Sequence, residues 1–262
     1  MQPLSTFQYG QLKAIFTDID DTLTTHGKLT AEAYGALWAL AKAGISVIPV
    51  TGRPAGWCEL IARQWPVHGV IGENGAFYFR LSGREMRRHF AVSEGEREQN
   101  RQKLEHIRND VLKKIPGSAL ASDQFCRLHD LAIDFCEDVP PLPITQVKKI
   151  VEIFAAHGAH AKISSIHVNG WFGDYDKLTM CQEYARRELL VTDPSDFQGQ
   201  CAFIGDSPND EPMFAHFQNS FAVANISSFL DQLVHPPNYV TTKANAEGFT
   251  EFTQHILTLI QN

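Results

Sequence analysis

The sequence predicts an α/β protein, built on a doubly wound and mainly parallel sheet with an inserted α+β domain. Short apolar, β-rich runs alternate with helical patterns near both ends of the chain, which is typical of a parallel sheet covered on both faces. This alternation changes to another pattern after residue 82. The 262 residues, 44% of them hydrophobic, supply enough apolar surface to bury such a core.

The first elements alternate strictly between strand and helix. A strand is predicted at 13–17, where the apolar run A-I-F-T leads into acidic residues. A helix is predicted at 30–43, where Ala, Leu and Trp recur at helical spacing before Gly44. The next elements are a strand at 45–50, a helix at 53–64, a strand at 69–71 and the start of a hairpin at 76–79.

The middle of the chain has the order helix, hairpin, helix, hairpin. Its predicted helices are 93–114 and 145–157, and its β runs are 126–128, 131–135, 159–163 and 166–168. Alternation then resumes through 177–188, 201–204, 209–215, 220–223 and 239–241. We therefore predict a discontinuous core domain at 1–82 and 172–262, and an inserted α+β cap domain at 83–171.

Composition excludes several classes of function. The net charge of −7 and the pI near 5.9 leave no basic excess to neutralise a nucleic-acid backbone. Residues 1–10 lack a basic leader, and no stretch has the roughly 18 apolar residues of a membrane span. Five cysteines without CxxC spacing fit neither a disulfide framework nor a thiolate zinc site. We expect a cytoplasmic protein with no nucleic-acid or membrane partner.

Two aspartates directly follow the first predicted strand. Asp18 and Asp20 are two residues apart, so in extended backbone their side chains point to the same side. Like charges this close are unfavourable unless a cation neutralises them or one of them holds a proton, and either condition serves phosphoryl chemistry. The alternative is an acidic turn before the next helix, for which Thr30 is a suitable N-cap.

Two further motifs follow predicted strands, and a lysine begins a predicted helix. Thr51-Gly52-Arg53 offers a hydroxyl and backbone N–H groups to a phosphate, or is an ordinary turn. Asp206 and Asp210, in G-D-S-P-N-D, lie at the strand end where ligands bind in α/β sheets, and the same turn also suits a helix N-cap. Lys177 is either a surface lysine or a cation that offsets a phosphate.

Taken together, D-x-D-x-T, T-G-R, a single lysine and G-D-x-x-N-D, in that order, resemble the haloacid dehalogenase superfamily. The segment G-E-N-G-A at 72–76 resembles the Cof-type, subfamily IIB phosphatases. That group includes sucrose-phosphate, mannosyl-phosphoglycerate and phosphoglycolate phosphatases, and its cap is inserted where the predicted insert lies here. One departure is Asp176-Lys177-Leu178, where many relatives have Asn-Lys-Gly.

The resemblance implies a role for each matched residue. Asp18 would be the nucleophile, and Asp20 would be the general acid and then the base. Mg²⁺ would bind the carboxylates of Asp18 and Asp206 and the backbone carbonyl of Asp20, with support from Asp210. The phosphate would be bound at the remaining matched positions, Thr51, Gly52 and Lys177.

Specificity is expected to reside in the cap. His167, Asn169 and Trp171 are two apart on its last strand and can face the cleft together, bordered by Arg53 and Glu73-Asn74. The alternative is a hairpin with ordinary exposed polar residues and a tryptophan packed in the core.

The leading hypothesis is a phosphomonoesterase that acts on a sugar phosphate or a similar small phosphorylated metabolite, as a monomer or homodimer. A phosphosugar mutase is the alternative among enzymes, because capped relatives can return the phosphoryl group to a sugar hydroxyl. A receiver-like switch, phosphorylated on Asp18 without turnover, is the non-enzymatic alternative. A catalytically dead binding protein is disfavoured because all four motifs are intact.

Overall fold

The computed structural model describes residues 1–8, 12–164 and 166–261. Strands and helices are numbered in chain order. Within the described residues the strands are β1 (Gln2–Pro3), β2 (Ala14–Thr17), β3 (Thr24–Thr25), β4 (Lys28–Leu29), β5 (Ser46–Pro49), β6 (Val70–Gly72), β7 (Phe77–Ser82), β8 (Glu85–Phe90), β9 (Ala119–Leu120), β10 (Leu131–Asp134), β11 (His160–Ile163), β12 (His167–Trp171), β13 (Cys201–Gly205), β14 (Asn219–Ala222) and β15 (Tyr239–Val240).

The helices alternate with these strands as the sequence predicts for both ends of the chain. Thr30 caps the first helix, as expected, because its hydroxyl accepts the Ala33 N–H. The α-helices in the described residues are α1 (Ala31–Lys42), α2 (Ala55–Gln64), α3 (Glu94–Lys114), α4 (Ile144–Ala156), α5 (Lys177–Glu188), α6 (Pro194–Gln200), α7 (Glu211–His216) and α8 (Asn245–Gln261).

The main sheet is parallel and has the order β1-β15-β14-β13-β2-β5. Side chains alternate between its faces, so Ile15 packs on one side with Leu37 of α1 and Phe252 of α8. The neighbouring Phe16 packs on the other side with Tyr184 of α5. Helices therefore cover both faces, and the prediction of a doubly wound, mainly parallel sheet is confirmed.

A second, antiparallel sheet is formed in the middle of the chain, with the order β11-β12-β10-β9. One of its faces is apolar: Ile133 and Val168 pack against Ile107 of α3 and Phe154 of α4. The order of elements is helix, two strands, helix, two strands, as the sequence predicts. We call this four-stranded sheet the second sheet.

A three-stranded antiparallel sheet, β6-β7-β8, joins the two, and a parallel bridge between Val50 and Ile71 links it to the main sheet. The predicted boundary after residue 82 falls at the β7–β8 turn, and the one after residue 171 directly follows β12. The division into two domains stays a prediction. No helix in the described ranges is long and apolar enough to cross a bilayer.

The strand predicted at 126–128 is wrong. Gln124–Cys126 is a 3₁₀ turn, and the short strand β9 at Ala119–Leu120 pairs with β10 instead. Leu128 N–H, together with the two N–H groups that follow it, donates to the carboxylate of Glu73. These donors are therefore unavailable to a β ladder. Helices α6 and α8 were not predicted.

Candidate active site

The motifs meet at the carboxyl ends of three neighbouring strands. Asp18 follows β2, Asp206 follows β13, and Thr51 lies two residues beyond β5. These strands are adjacent in the sheet, and the Asp18 N–H donates to the carbonyl of Ile204 at 2.9 Å, continuing the β2–β13 pairing. Parallel strands end at one edge, so chain segments almost 190 residues apart reach the same place.

Lys177 is the central cation of the site. It is only 5% exposed, at the first position of α5, and its ammonium donates to Asp18 at 2.7 Å and to Asp210 at 3.1 Å. Burial works against its charge, yet the two carboxylates raise its pKa. Gly75 permits the close approach of this helix, because a Cβ there would overlap the carbonyl of Asp176, the N-cap of α5. Lys177 therefore lies in the site although its neighbours, Asp176 and Leu178, differ from the common Asn-Lys-Gly motif.

Three buried carboxylates form a group suited to a divalent cation. Oxygens of Asp18, Asp206 and Asp210 all lie within 4.8 Å of one another. Thr22 Oγ1 and Asn225 Nδ2 donate to the two oxygens of Asp206, at 3.1 and 3.2 Å, and so fix its orientation. Carboxylate oxygens are the ligands that Mg²⁺ prefers, so the residues present fit the expected ion.

The electrostatics of this group also favour a cation. Burial first, and then the charge of Asp18, raise the pKa of Asp206 to about 9. The pKa of Asp18 is raised to about 7 by burial, opposed by the charge of Lys177 and assisted by that of Asp210. A dication relieves the repulsion among these groups and stabilises their ionised forms.

The carboxylate of Asp20 does not join this group. It faces Arg53, whose Nε and Nη2 donate to it at 3.0 and 2.8 Å in a bidentate pair. Arg53 Nη1 also lies 3.5 Å from Glu137, a residue of the loop after β10 that the sequence analysis did not identify. A metal role for Asp20 therefore rests on its backbone carbonyl, as the resemblance implies.

Hydrogen bonds fix the turn at Thr51 and Gly52 on two sides. The Thr51 carbonyl accepts the N–H of Asn74 at 3.1 Å. The Gly52 carbonyl accepts Nη1 of Arg127 at 3.0 Å and Nδ2 of Asn169 at 3.4 Å, both from the unit that holds the second sheet. Among the described residues the Gly52 N–H has no acceptor. A trans peptide directs it away from the Thr51 carbonyl, which leaves it free for a phosphate oxygen.

The predicted specificity residues divide into two groups. His167 and Asn169 are 2% and 4% exposed and face the core, so they are not ordinary exposed polar residues. Asn169 Oδ1 and Asn74 Nδ2 are both buried, and neither has a hydrogen-bond partner among the described residues. Trp171 instead packs in the core, where its ring stacks on Tyr175 at 6.0 Å between centroids.

Glu73 joins the core to the second sheet. Its carboxylate is buried and accepts the N–H groups of Ala55 at 2.9 Å and of the three consecutive residues Leu128, His129 and Asp130 at 2.6 to 3.2 Å. This junction had no signal in the sequence beyond the Glu73-Asn74 pair, because its three partners on the side of the second sheet are more than 50 residues away.

Comparison with known proteins agrees with this geometry. A model of haloacid dehalogenase-like hydrolases matches residues 15–107 and 197–252, more than half of the chain. A solved structure from Thermoplasma acidophilum is similar with a TM-score of 0.74 and 16% identity, over 94% of this chain and 99% of that one. A putative HAD/COF-like hydrolase from Plasmodium vivax has a TM-score of 0.70 and 16% identity, over 95% and 97% of the two chains. A subclass IIB sugar phosphatase has a TM-score of 0.62 and 16% identity, over 95% and 100%.

At such identities the solved structures show a shared fold only, while the family match covers the motifs themselves. The matched stretches contain Asp18, Thr51, Asp206 and Asp210, whereas Lys177 lies between them. The four motifs, the convergence of their side chains and the family match lead to one conclusion: this chain belongs to the haloacid dehalogenase-like hydrolases.

Proposed function

We propose that the protein is a Mg²⁺-dependent phosphomonoesterase that hydrolyses a small phosphorylated metabolite through an aspartyl-phosphate. The observation that carries the proposal is the buried Lys177 ammonium, bonded to Asp18 and Asp210 beside the third carboxylate, Asp206. This arrangement combines a nucleophile, a cation and a site for a divalent ion in one small volume. Phosphoryl transfer requires this kind of charge neutralisation.

In the first step an oxygen of Asp18 attacks phosphorus, and the bond from phosphorus to the leaving oxygen breaks. Asp20 gives its proton to that oxygen as the leaving group departs. In the second step Asp20 takes a proton from water, which attacks the phosphorus of the aspartyl-phosphate and releases inorganic phosphate and free Asp18. Arg53 holds the carboxylate of Asp20 in position through its bidentate pair.

The other residues bind and orient the phosphoryl group. Lys177 and the free N–H of Gly52 donate to its oxygens, and Thr51 supplies a hydroxyl close by. Held by Asp18, Asp206 and Asp210, Mg²⁺ would neutralise negative charge on the phosphoryl oxygens.

The second sheet acts in this proposal as a cap that closes over the leaving group and excludes water. Its polar residues Asn169 and His167 support this role, as does a fold shared with a subclass IIB sugar phosphatase. The substrate class that follows is a sugar phosphate or a similarly small organic phosphate.

The test is hydrolysis of p-nitrophenyl phosphate with and without Mg²⁺. We expect Mg²⁺-dependent turnover that Asp18→Asn lowers by roughly 10³-fold or more, because the nucleophile is removed. The matched control is Asp196→Asn, the same change at an exposed site on α6, which should retain full activity. Full turnover by Asp18→Asn would contradict the proposal. An isomerised sugar phosphate as main product would identify a mutase instead, and stable phosphorylation without turnover would identify a switch.

A further inference from the structure

The polar face of the second sheet carries a lysine in addition to Asn169. Lys162 on β11 lies directly opposite Asn169 on β12 in an antiparallel pair. Residues opposite each other in such a pair project from the same face of the sheet. Because Asn169 reaches the Gly52 carbonyl at 3.4 Å, this face is directed at the core, and Lys162 shares it.

Lys162 also borders an open space beside the active site. It lines a cleft of about 510 Å³ together with Pro208 and Asn209, in the loop that separates Asp206 from Asp210, and with Glu211 at the start of α7. The cleft therefore lies between the second sheet and the loop that carries two of the three clustered carboxylates.

Among the cations around the site that the structure describes, Lys162 lacks a carboxylate at bonding distance, although the charges of Asp176 and Asp210 act on it from farther away. Arg53, Arg127 and Lys177 each bond to carboxylates. Within the described part of the chain, no carboxylate oxygen lies within 4.0 Å of the Lys162 ammonium. Burial, and then the charge of Lys177, lower the pKa of Lys162, which agrees with a partly desolvated group facing the active-site lysine. A partly buried cation without a partner is costly, and an arriving anion removes that cost.

We propose that Lys162 binds a second anionic group, a carboxylate or a second phosphate, on the leaving portion of the substrate. This inference rests on the proposed phosphatase function and narrows its substrate class to phosphomonoesters with a charged leaving group. The transferred phosphoryl group already has Lys177 and the Gly52 N–H. Lys162 bonds to neither Asp18 nor Asp210, so its ammonium is available to the rest of the substrate.

The experiment compares Lys162→Met and Lys162→Arg on two kinds of substrate. Phosphoglycolate and fructose 1,6-bisphosphate have charged leaving groups, whereas p-nitrophenyl phosphate and glycerol 1-phosphate do not. For the charged pair we expect Lys162→Met to lose roughly 10-fold to 100-fold in kcat/KM, mainly through KM, because one charge-assisted contact is lost. The uncharged pair should be unaffected, and Lys162→Arg should retain most of the activity. Lys148→Met, the same change at an exposed position of α4, is the matched control.

Equal loss on all four substrates would overturn the inference, because Lys162 would then bind the transferred phosphoryl group. If Lys162→Met leaves kcat/KM unchanged on all four substrates, the inference is also overturned. Turnover by the wild-type protein would in that case still support the proposed phosphatase function. If the wild-type protein hydrolyses nothing, the phosphatase proposal fails instead. Calorimetric titration of Asp18→Asn with phosphoglycolate and glycerol 1-phosphate then decides on Lys162. In the Asp18→Asn background, the second substitution Lys162→Met should weaken binding of phosphoglycolate but not of glycerol 1-phosphate. If the single and double variants bind phosphoglycolate equally, the inference is refuted.

Discussion

Replacing Glu73 with glutamine tests how the second sheet is attached to the core. The carboxylate accepts four backbone N–H groups, from Ala55 and from the consecutive residues Leu128, His129 and Asp130. Four donors and no acceptor surround it, so the geometry suits an ionised group that only accepts hydrogen bonds. Burial, and then the charge of Asp130, nevertheless raise the pKa of Glu73 to about 8. The substitution distinguishes an ionised Glu73, which the four donors favour, from a protonated Glu73, which burial favours.

The expected cost follows from the orientation of the new amide. If its NH₂ replaces Oε2, the N–H groups of His129 and Asp130 lose their acceptor. If it replaces Oε1, only Ala55 loses its acceptor, because Leu128 contacts both oxygens. The cheaper orientation leaves one buried N–H unpaired, at about 1–3 kcal/mol, and turns the remaining charge-assisted bonds into weaker neutral ones. We therefore expect Glu73→Gln to lower the free energy of unfolding by about 2–4 kcal/mol.

Urea unfolding measures this loss, and amide hydrogen exchange localises it to Ala55 and residues 128–130. A local loss of about 2–4 kcal/mol corresponds to exchange that is roughly 30-fold to 700-fold faster. The matched control is Glu59→Gln on α2, whose carboxylate pairs with Arg63 and Arg88 at the surface. That change should cost less than about 1 kcal/mol. Unchanged stability and exchange in Glu73→Gln would refute the reasoning, since a protonated Glu73 is nearly isosteric with glutamine.

Two further predictions concern pH. Burial first, and then the charges of Arg97 and Arg101, lower the pKa of His129 to about 3, so only the unfolded chain gains its proton between pH 6.5 and 3. The neutral, buried His129 therefore contributes its full stability above about pH 6.5, and this contribution is lost as pH falls. Urea midpoints should show that His129→Phe loses less stability than wild type between pH 7 and 5. An equal or larger loss in His129→Phe would contradict this. The raised pKa values of Asp18 and Asp206, about 7 and 9, mean that Mg²⁺ displaces protons on binding. The rise in Tm caused by Mg²⁺ should grow from pH 6 to 9, and a rise independent of pH would argue against these ligands.

The sequence predicted those parts of the site that depend on strand ends. Asp18, Thr51 and Asp206 each follow an apolar run, and parallel strands bring their carboxyl ends to one edge, so their convergence followed from local patterns. Lys177 was assigned only through its order among the motifs. Its burial depends on how Gly75 packs against the start of α5, which no periodicity reveals.

What the sequence could not predict are contacts between polar groups far apart in the chain. Arg53 was expected to border the substrate, but its guanidinium pairs with Asp20 and lies near Glu137, which was not identified at all. The segment at 126–128 was predicted as a strand because it resembles a short β run. Its backbone is instead directed by the carboxylate of Glu73, and burial of such a group depends on tertiary structure that propensity does not report.

The two peptide planes of the phosphate turn are held by different parts of the molecule. The core holds the first, through the Asn74 N–H on the Thr51 carbonyl. The second is held at its N–H by the core, where Arg53 N–H donates to Thr51 Oγ1 at 3.0 Å. Its carbonyl, on Gly52, accepts from Arg127 and Asn169 of the unit that contains the second sheet. If the second sheet moved away, this carbonyl would lose both donors. It follows that docking of the second sheet and ordering of the phosphate turn are coupled, since these two hydrogen bonds contribute to both.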